Sequence, residues 1–297
     1  MNDLIEQLQT LRDWLRFAVS RFNEAGLHFG HGCDNAYDEA AWLLLHTLHL
    51  PRDRLEPFLD AKLTRAERMA VHHVLQLRIA KRMPTAYLTH EAWLGECRFY
   101  VDERVIVPRS YFGELLANDF APWLESPESV RTALDLCTGS GCLAIMMALV
   151  FHEARIDAVD LSANALAVAR RNVADYALDD RVRLVESDLF DALGKQRYDL
   201  IVSNPPYVTA AAMAALPPEY RHEPALALAA GADGLDIVRR ILQHARNRLA
   251  AHGLLAVEVG HNRDLVEAAF PELPMTWVDC AGGEGKIFIL QKDQWPG

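Results

Sequence analysis

Apolar residues recur at helical spacing through the first third of the chain. Leu4, Leu8, Leu11, Leu15 and Phe22 share one helical face, with Arg12, Asp13 and Arg16 between them. This predicts one helix over that run and a second from about Asn35 through Ala40, Leu43, Leu44 and Leu48, ending before Pro51. Thr64-Arg65-Ala66-Glu67 has the form of a capping box, so a third helix is expected from there to about Arg82, before Pro84. Its polar positions Arg65, Arg68, His72, His73, Arg78, Lys81 and Arg82 read as a solvated face. From Tyr87 to Val107 β-branched and aromatic residues surround Gly95 and Asp102-Glu103, the pattern of a hairpin linking two domains. Pro108-Arg109-Ser110 then introduces a further helix, and Pro122, Ser126 and Pro127 punctuate the loop after it.

Beyond Val130 strand and helix patterns alternate. Strands are expected at 133–137, 156–160, 182–186, 200–203, 254–259, 277–280 and 287–290, and helices at 142–150, 164–176, 235–250 and 264–270. Such alternation means a mostly parallel, doubly wound α/β sheet with helices on both faces. The last two strands are joined by the short turn Gly282-Gly283-Glu284-Gly285, so they are expected to be antiparallel.

Composition narrows the class. With 297 residues, 51% hydrophobic and 24% charged, the chain is of globular type and large enough for two domains. Met1-Asn2-Asp3-Leu4-Ile5-Glu6 has neither the basic nor the apolar region of a signal peptide, and no apolar run is long enough for a membrane span. The five cysteines, Cys33, Cys97, Cys137, Cys142 and Cys280, form no CxxC pair and are odd in number. Free thiols and a cytoplasmic location follow. The net charge of -11 is unevenly placed: residues 1–90 carry 11 basic and 11 acidic residues, leaving 19 and 30 of the chain's 30 and 41 beyond them. That balance disfavours a phosphate-backbone binder, which needs a basic stripe, and suits a basic partner.

Chemistry concentrates at the expected strand ends. Asp135-Leu136-Cys137-Thr138-Gly139-Ser140-Gly141 closes the first strand of the alternating half, and its glycines allow a close backbone approach. Gly139 and Gly141 with Ala144 also fit a variant dinucleotide fingerprint. Asp160, about 20 residues further on with Leu161 beside it, suits a ribose diol. Ser162 reads as a helix N-cap, which leaves Asp160 available to a ligand. Asp188 could accept from an adenine amino group, with Leu189 and Phe190 packed on the ring. Three acids at three successive strand ends outline an adenosine pocket. After the run Leu200-Ile201-Val202 comes Asn204-Pro205-Pro206-Tyr207, where two prolines hold the backbone extended and leave carbonyls exposed. No HExxH and no histidine–cysteine metal spacing is present. Glu258, at the end of the fifth strand, has a bracing role or a place near the site.

On these residues the second half resembles the class I S-adenosylmethionine-dependent methyltransferases, and Asn204-Pro205-Pro206-Tyr207 resembles the branch that methylates planar amino groups. The resemblance implies S-adenosyl-L-methionine as cofactor, a seven-stranded class I sheet, and Asp135 near the cofactor's ammonium group. It also implies Asn204, Pro205, Pro206 and Tyr207 as catalytic residues. Asn204 Oδ1 and the Pro205 carbonyl would each accept one N–H of the substrate amino group, and Tyr207 would pack on the flat amide. Asp135, Cys137, Thr138, Gly139, Ser140, Gly141, Asp160, Leu161, Asp188, Leu189 and Asn204 are then the expected cofactor contacts. Cys137 departs from the pattern, standing where many relatives have glycine.

The helical amino-terminal part, the hairpin and the stretch Glu223-Pro224-Ala225-Leu226-Ala227-Leu228 with Gly231-Ala232-Asp233-Gly234-Leu235-Asp236 narrow the resemblance to the protein-(glutamine-N5) methyltransferases. It implies a helical substrate-recognition domain over 1–86, a hairpin linker over 87–108 and a methyltransferase domain over 109–297. One branch of that family modifies release factors and another a protein of the large ribosomal subunit. His28-Phe29-Gly30-His31-Gly32-Cys33-Asp34-Asn35-Ala36-Tyr37-Asp38-Glu39-Ala40 and Val107-Pro108-Arg109-Ser110 are similar to the second, implying the basic large-subunit protein three as substrate. The alternatives are a release-factor glutamine methyltransferase, a DNA adenine-N6 methyltransferase, and a silent ribosome-assembly factor. Charge-balanced residues 1–90 speak against DNA.

Overall fold

Thr10 interrupts the amino-terminal apolar run. Its amide donates to Asp13 Oδ2 at 2.9 Å and its hydroxyl accepts from the Asp13 amide at 3.2 Å, a capping box that starts a new helix. The single helix expected there is therefore two, α1 (Asn2–Gln7) and α2 (Leu11–Glu24). Asn35 caps α3 (Ala36–Thr47), and the expected box at Thr64 and Glu67 starts α4 (Arg65–Lys81). Pro84 precedes α5 (Thr85–Thr89), so Tyr87 is helical and the hairpin begins later than its composition suggested. Leu11, Trp14, Leu15 and Phe22 of α2 pack with Leu43 and Leu44 of α3 and Val71 and Leu75 of α4.

These helices belong to a compact unit of Met1–Ala92 that also contains Pro217–His222; Trp93–Leu216 and Glu223–Gly297 form a second. The computed structural model describes residues 2–124, 126–280 and 283–295. Arg78 corrects the reading of α4 as a wholly solvated face, because it is completely buried. Its Nε donates to Glu39 Oε1 at 2.6 Å and its Nη1 to Glu219 Oε1 at 3.4 Å, and these carboxylates make the burial tolerable.

A two-stranded pair, β1 (Ala92–Leu94) and β2 (Cys97–Phe99), leads to α6 (Phe112–Ala117). The alternating half follows as β3 (Thr132–Leu136), α7 (Cys142–Val150), β4 (Arg155–Asp160), α8 (Ala163–Asp175), β5 (Val182–Glu186) and β6 (Tyr198–Ser203). Then come α9 (Ala210–Ala215), α10 (Asp236–Arg248), β7 (Leu249–Glu258), α11 (Arg263–Ala269), β8 (Thr276–Cys280) and β9 (Gly283–Gln291). Gly282, expected in the turn before β9, lies outside the described residues.

The seven strands run in the order β5-β4-β3-β6-β7-β9-β8, with β9 antiparallel to both neighbours and the other pairs parallel. This is the mostly parallel doubly wound sheet of the class I methyltransferases. Alternation puts Ala133, Leu200 and Val202 in a core with α6, α7 and α8, and Leu134, Leu136 and Ile201 in a core with α10 and α11. The strand order reverses between β3 and β6, and a crevice at such a switch point, beyond the carboxyl ends of the strands, is where open α/β sheets take ligands.

Candidate active site

The register Leu136↔Ser203 and Leu136↔Val159 brings the ends of β3, β6 and β4 level. The Ser203 hydroxyl donates to the Leu136 carbonyl at 2.8 Å, closing the gap between β3 and β6. Beyond these ends lies a cleft open to solvent, at the place where open α/β sheets take ligands.

Eight of the residues singled out from the sequence line that cleft: Cys137, Gly139, Asp160, Leu161, Asp188, Leu189, Asn204 and Pro206. Asp135, Thr138, Ser140, Gly141, Pro205 and Tyr207 do not, and most of these serve to hold the loops behind it. Gly139 has φ +56 and a Cβ there would meet nothing within 4 Å, so its missing side chain keeps space open. Gly141, at φ +81, passes α8 so closely that a Cβ would stand 3.2 Å from that of Ala169. Cys137 has φ +63, a left-handed conformation that favours glycine.

Asp160 is more engaged than its sequence context suggested. Ser162 caps α8 through its hydroxyl, as expected, but its amide donates to Asp160 Oδ1 at 2.9 Å, and the Gly139 amide donates to Oδ2 at 2.9 Å. A carboxylate has about four acceptor directions, so the amides of Ser162, Gly139 and Leu161 leave at least one of them open. Burial pushes this carboxyl up from its ordinary value, partly countered by those amides. Asp135 is completely buried; its Oδ2 accepts from the Thr138 hydroxyl at 2.5 Å and the Ala144 amide at 3.1 Å. Its Oδ1 has no hydrogen-bond partner among the described residues, and burial pushes the carboxyl up to about 7. A buried acceptor of this kind suits a ligand that brings a donor.

Asp188 forms an ion pair with Arg240 at 2.9 Å, which the sequence did not suggest. Phe190, expected on a ligand ring, is instead buried in the α10–α11 core while Leu189 faces the cleft.

Asn204 follows β6 directly and its half-buried side chain lines the cleft with no hydrogen-bond partner among the described residues. Pro205 behind it is buried. The Tyr207 ring packs at Gly260, where a Cβ would lie 2.6 Å from Cε2, and its carbonyl accepts from Asn262 Nδ2 at 2.7 Å. The Tyr207 hydroxyl donates to Glu258 Oε1 at 3.4 Å. Glu258 is fully buried and its Oε2 also accepts from the Ser110 hydroxyl at 2.6 Å and the Tyr111 amide at 3.0 Å. It braces the loops around Tyr207, and burial pushes its carboxyl up to about 7.

Sequence reasoning missed two contributors. Asn172 of α8, buried, accepts from the Tyr100 amide at 2.7 Å and donates to the Ser140 carbonyl at 2.8 Å, tying the glycine loop to the chain after β2. Arg104, Val105 and Ile106, three residues without a motif, form another wall of the cleft. Among the described residues no group of three histidines, cysteines or carboxylates is placed to hold a metal, and no helix is long and apolar enough to cross a membrane.

The methyltransferase small domain family matches residues 115–216 and the PrmC N-terminal domain family residues 13–89. The hMettl16 catalytic domain, crystallised in complex with a MAT2A 3'UTR hairpin, shares the fold at TM-score 0.51 and 16% identity, over 77% of this chain and 81% of its own. The ribosomal protein uL3 glutamine methyltransferase of Neisseria meningitidis is 59% identical across 100% of this chain and 97% of its own length. That of Bradyrhizobium diazoefficiens is 51% identical across 96% and 91%. Likeness of that degree extends over nearly the whole chain, and the chain belongs to the family of ribosomal protein uL3 glutamine methyltransferases.

Proposed function

We propose that the protein transfers a methyl group from S-adenosyl-L-methionine to the side-chain amide nitrogen of a glutamine in ribosomal protein uL3, in the cytoplasm. The observation that carries this reading is Asn204: an amide at the end of β6, lining the cleft, with its hydrogen-bonding capacity unused by the rest of the described chain. The acidic surplus of residues 91–297, 30 acidic against 19 basic out of 41 and 30 in the whole chain, suits a basic ribosomal protein.

Asp160, through its remaining acceptor capacity, would hold the ribose diol, and Leu161 and Leu189 would cover the adenine. Asp188 reaches the same cleft but shares its charge with Arg240. Asp135 Oδ1 suits the ammonium group, and Cys137, Thr138, Gly139, Ser140 and Gly141 shape the turn between. The cofactor, when bound, supplies a methyl group already activated on a sulfonium sulfur. What remains for the protein is alignment. An amide nitrogen is a weak nucleophile because its lone pair is shared with the carbonyl. Asn204 Oδ1 and the Pro205 carbonyl offer two acceptors to its two N–H bonds, orienting the nitrogen and favouring the positive charge that grows on it. Positioning of this kind is worth about 7–11 kcal/mol in well-oriented systems. Pro205 and Pro206 hold those acceptors in an extended backbone, and Tyr207, fixed by Glu258 and Asn262, keeps the loop from shifting.

The test uses cofactor labelled on the methyl group and, separately, uL3, a release factor and duplex DNA. Label on uL3, lost in Asn204→Ala while cofactor binding by calorimetry persists, supports the reading. Label on the release factor alone overturns the substrate, and unchanged turnover in the variant overturns the mechanism.

A further inference from the structure

One loop joins β6 to α10, and it is anchored in three places. At its base Val208 pairs with Ala229: the Val208 amide donates to the Leu228 carbonyl at 2.9 Å and the Ala230 amide to the Val208 carbonyl at 3.0 Å. On the returning limb the buried Glu223 accepts from the Val107 amide at 2.9 Å and from Arg109 Nη2 at 2.7 Å, within the methyltransferase unit. The tip, Pro217–His222, is built into the helical unit.

The tip's anchor is a carboxylate. Glu219 is completely buried, and its Oε1 accepts from the His28 amide at 3.1 Å, Arg82 Nη1 at 3.3 Å and Arg78 Nη1 at 3.4 Å. Beside it the Tyr220 ring stands 4.4 Å from His31 and 5.5 Å from His28, measured between centroids. Gly30 leaves room for Tyr220, since a Cβ there would lie 2.9 Å from its hydroxyl. The start of the stretch 28–40, which carried the sequence resemblance to one branch of the family, meets this tip through His28, Gly30 and His31.

An apolar plug would hold a loop tip at less desolvation cost than a buried carboxylate between two guanidiniums. What the charged arrangement adds is direction: three donors converge on one oxygen of Glu219, while its Oε2 has no hydrogen-bond partner among the described residues. Residues 208–216 run from Tyr207 to this anchor, and most of them, including α9, are half-exposed or exposed. The returning limb, whose Pro224, Leu226 and Ala227 line the cofactor cleft, is fixed independently by Glu223.

We propose that Glu219 is a positioning residue for the protein substrate: by locking the loop tip in the helical unit it holds residues 208–216 in the register that receives the glutamine-bearing chain. This rests on the methyl-transfer reading above. In Glu219→Gln and in Tyr220→Ala, which leaves the buried ion pairs intact, the substrate must order that segment itself. The KM for uL3 should then rise about tenfold, the worth of roughly 1.4 kcal/mol. The kcat and the dissociation constant for S-adenosylmethionine should stay within about twofold, and Glu219→Asp should recover part of the loss. Hydrogen exchange of the amides of 208–216, measured on the unliganded protein, should accelerate in both variants. An unchanged KM in both variants, a fall in kcat alone, or an equal loss of cofactor affinity would overturn the proposal. Should the wild type methylate no protein, the transfer reading fails by itself, and unaltered exchange of 208–216 would then sink the anchoring role.

Discussion

Replacing Glu258 with glutamine tests what braces the Tyr207 loop. The wild-type carboxyl is pushed up to about 7 from an ordinary 4.5, chiefly by burial, against partial relief from Ser110, Tyr111 and Tyr207. Between those values the folded chain keeps a proton that the unfolded chain has released. The group therefore contributes stability that is fully present below pH 4.5 and lost as pH rises through 7. At 1.36 kcal/mol per unit the contribution is about 3 kcal/mol. Glutamine keeps the shape, can still accept from the Tyr111 amide, and titrates nowhere in this range. Urea unfolding at intervals from pH 4 to pH 8 should show wild-type stability falling by about 3 kcal/mol more than that of Glu258→Gln. Asp135, also raised to about 7, is present in both proteins and cancels in the difference. Parallel stability curves would refute the reasoning, because they would mean that the buried carboxylate is no harder to ionise than an exposed one.

Three further outcomes follow from particular atoms. Cys137 adopts φ +63, so Cys137→Gly should be more stable than Cys137→Ala by about 1 kcal/mol in urea unfolding; equal values would remove the backbone argument. Gly260→Ala would set a Cβ 2.6 Å from the Tyr207 ring at φ +56 and should lower stability by about 1–3 kcal/mol together with methyl transfer, whereas wild-type activity would show that the ring has room to move. Asp160→Asn must turn an amide NH₂ toward either the Gly139 or the Ser162 amide, itself a donor. Its calorimetric affinity for S-adenosylmethionine should fall at least about tenfold, and full affinity would remove Asp160 from the cofactor site.

The strands and long helices of the methyltransferase half were legible because local pattern decides them. Helix α7 spans the residues expected of it, 142–150, where apolar continuity sets it, and β5 coincides with the strand expected at 182–186. Thr10 was not legible as a break, because Leu8 and Leu11 keep the helical period across it and a four-residue capping box overrides that period. Arg78 shares a helical pattern with exposed Lys81 and half-buried Arg82, and one of the carboxylates that receives it in the interior is Glu219, 141 residues further on. No window along the chain contains both. The site divides in the same way. Asp160, Gly139 and Asn204 carry their chemistry in short motifs, whereas Arg104, Val105 and Ile106 reach the cleft only through tertiary placement.

The helical unit is discontinuous in the chain, and this sets an order on its assembly. Synthesis proceeds from the amino terminus at about 5–20 residues per second, so Glu219 follows Arg78 by roughly 7–30 s. During that interval α2, α3 and α4 can bury their apolar faces, and Arg78 has Glu39, but Arg78 and Arg82 lack the second carboxylate. The first unit to begin folding is therefore not the first to finish: it is completed only after β3, β4, β5 and β6 have been made. A chain that stops short of Pro217 leaves its helical unit open at the place where the guanidiniums converge.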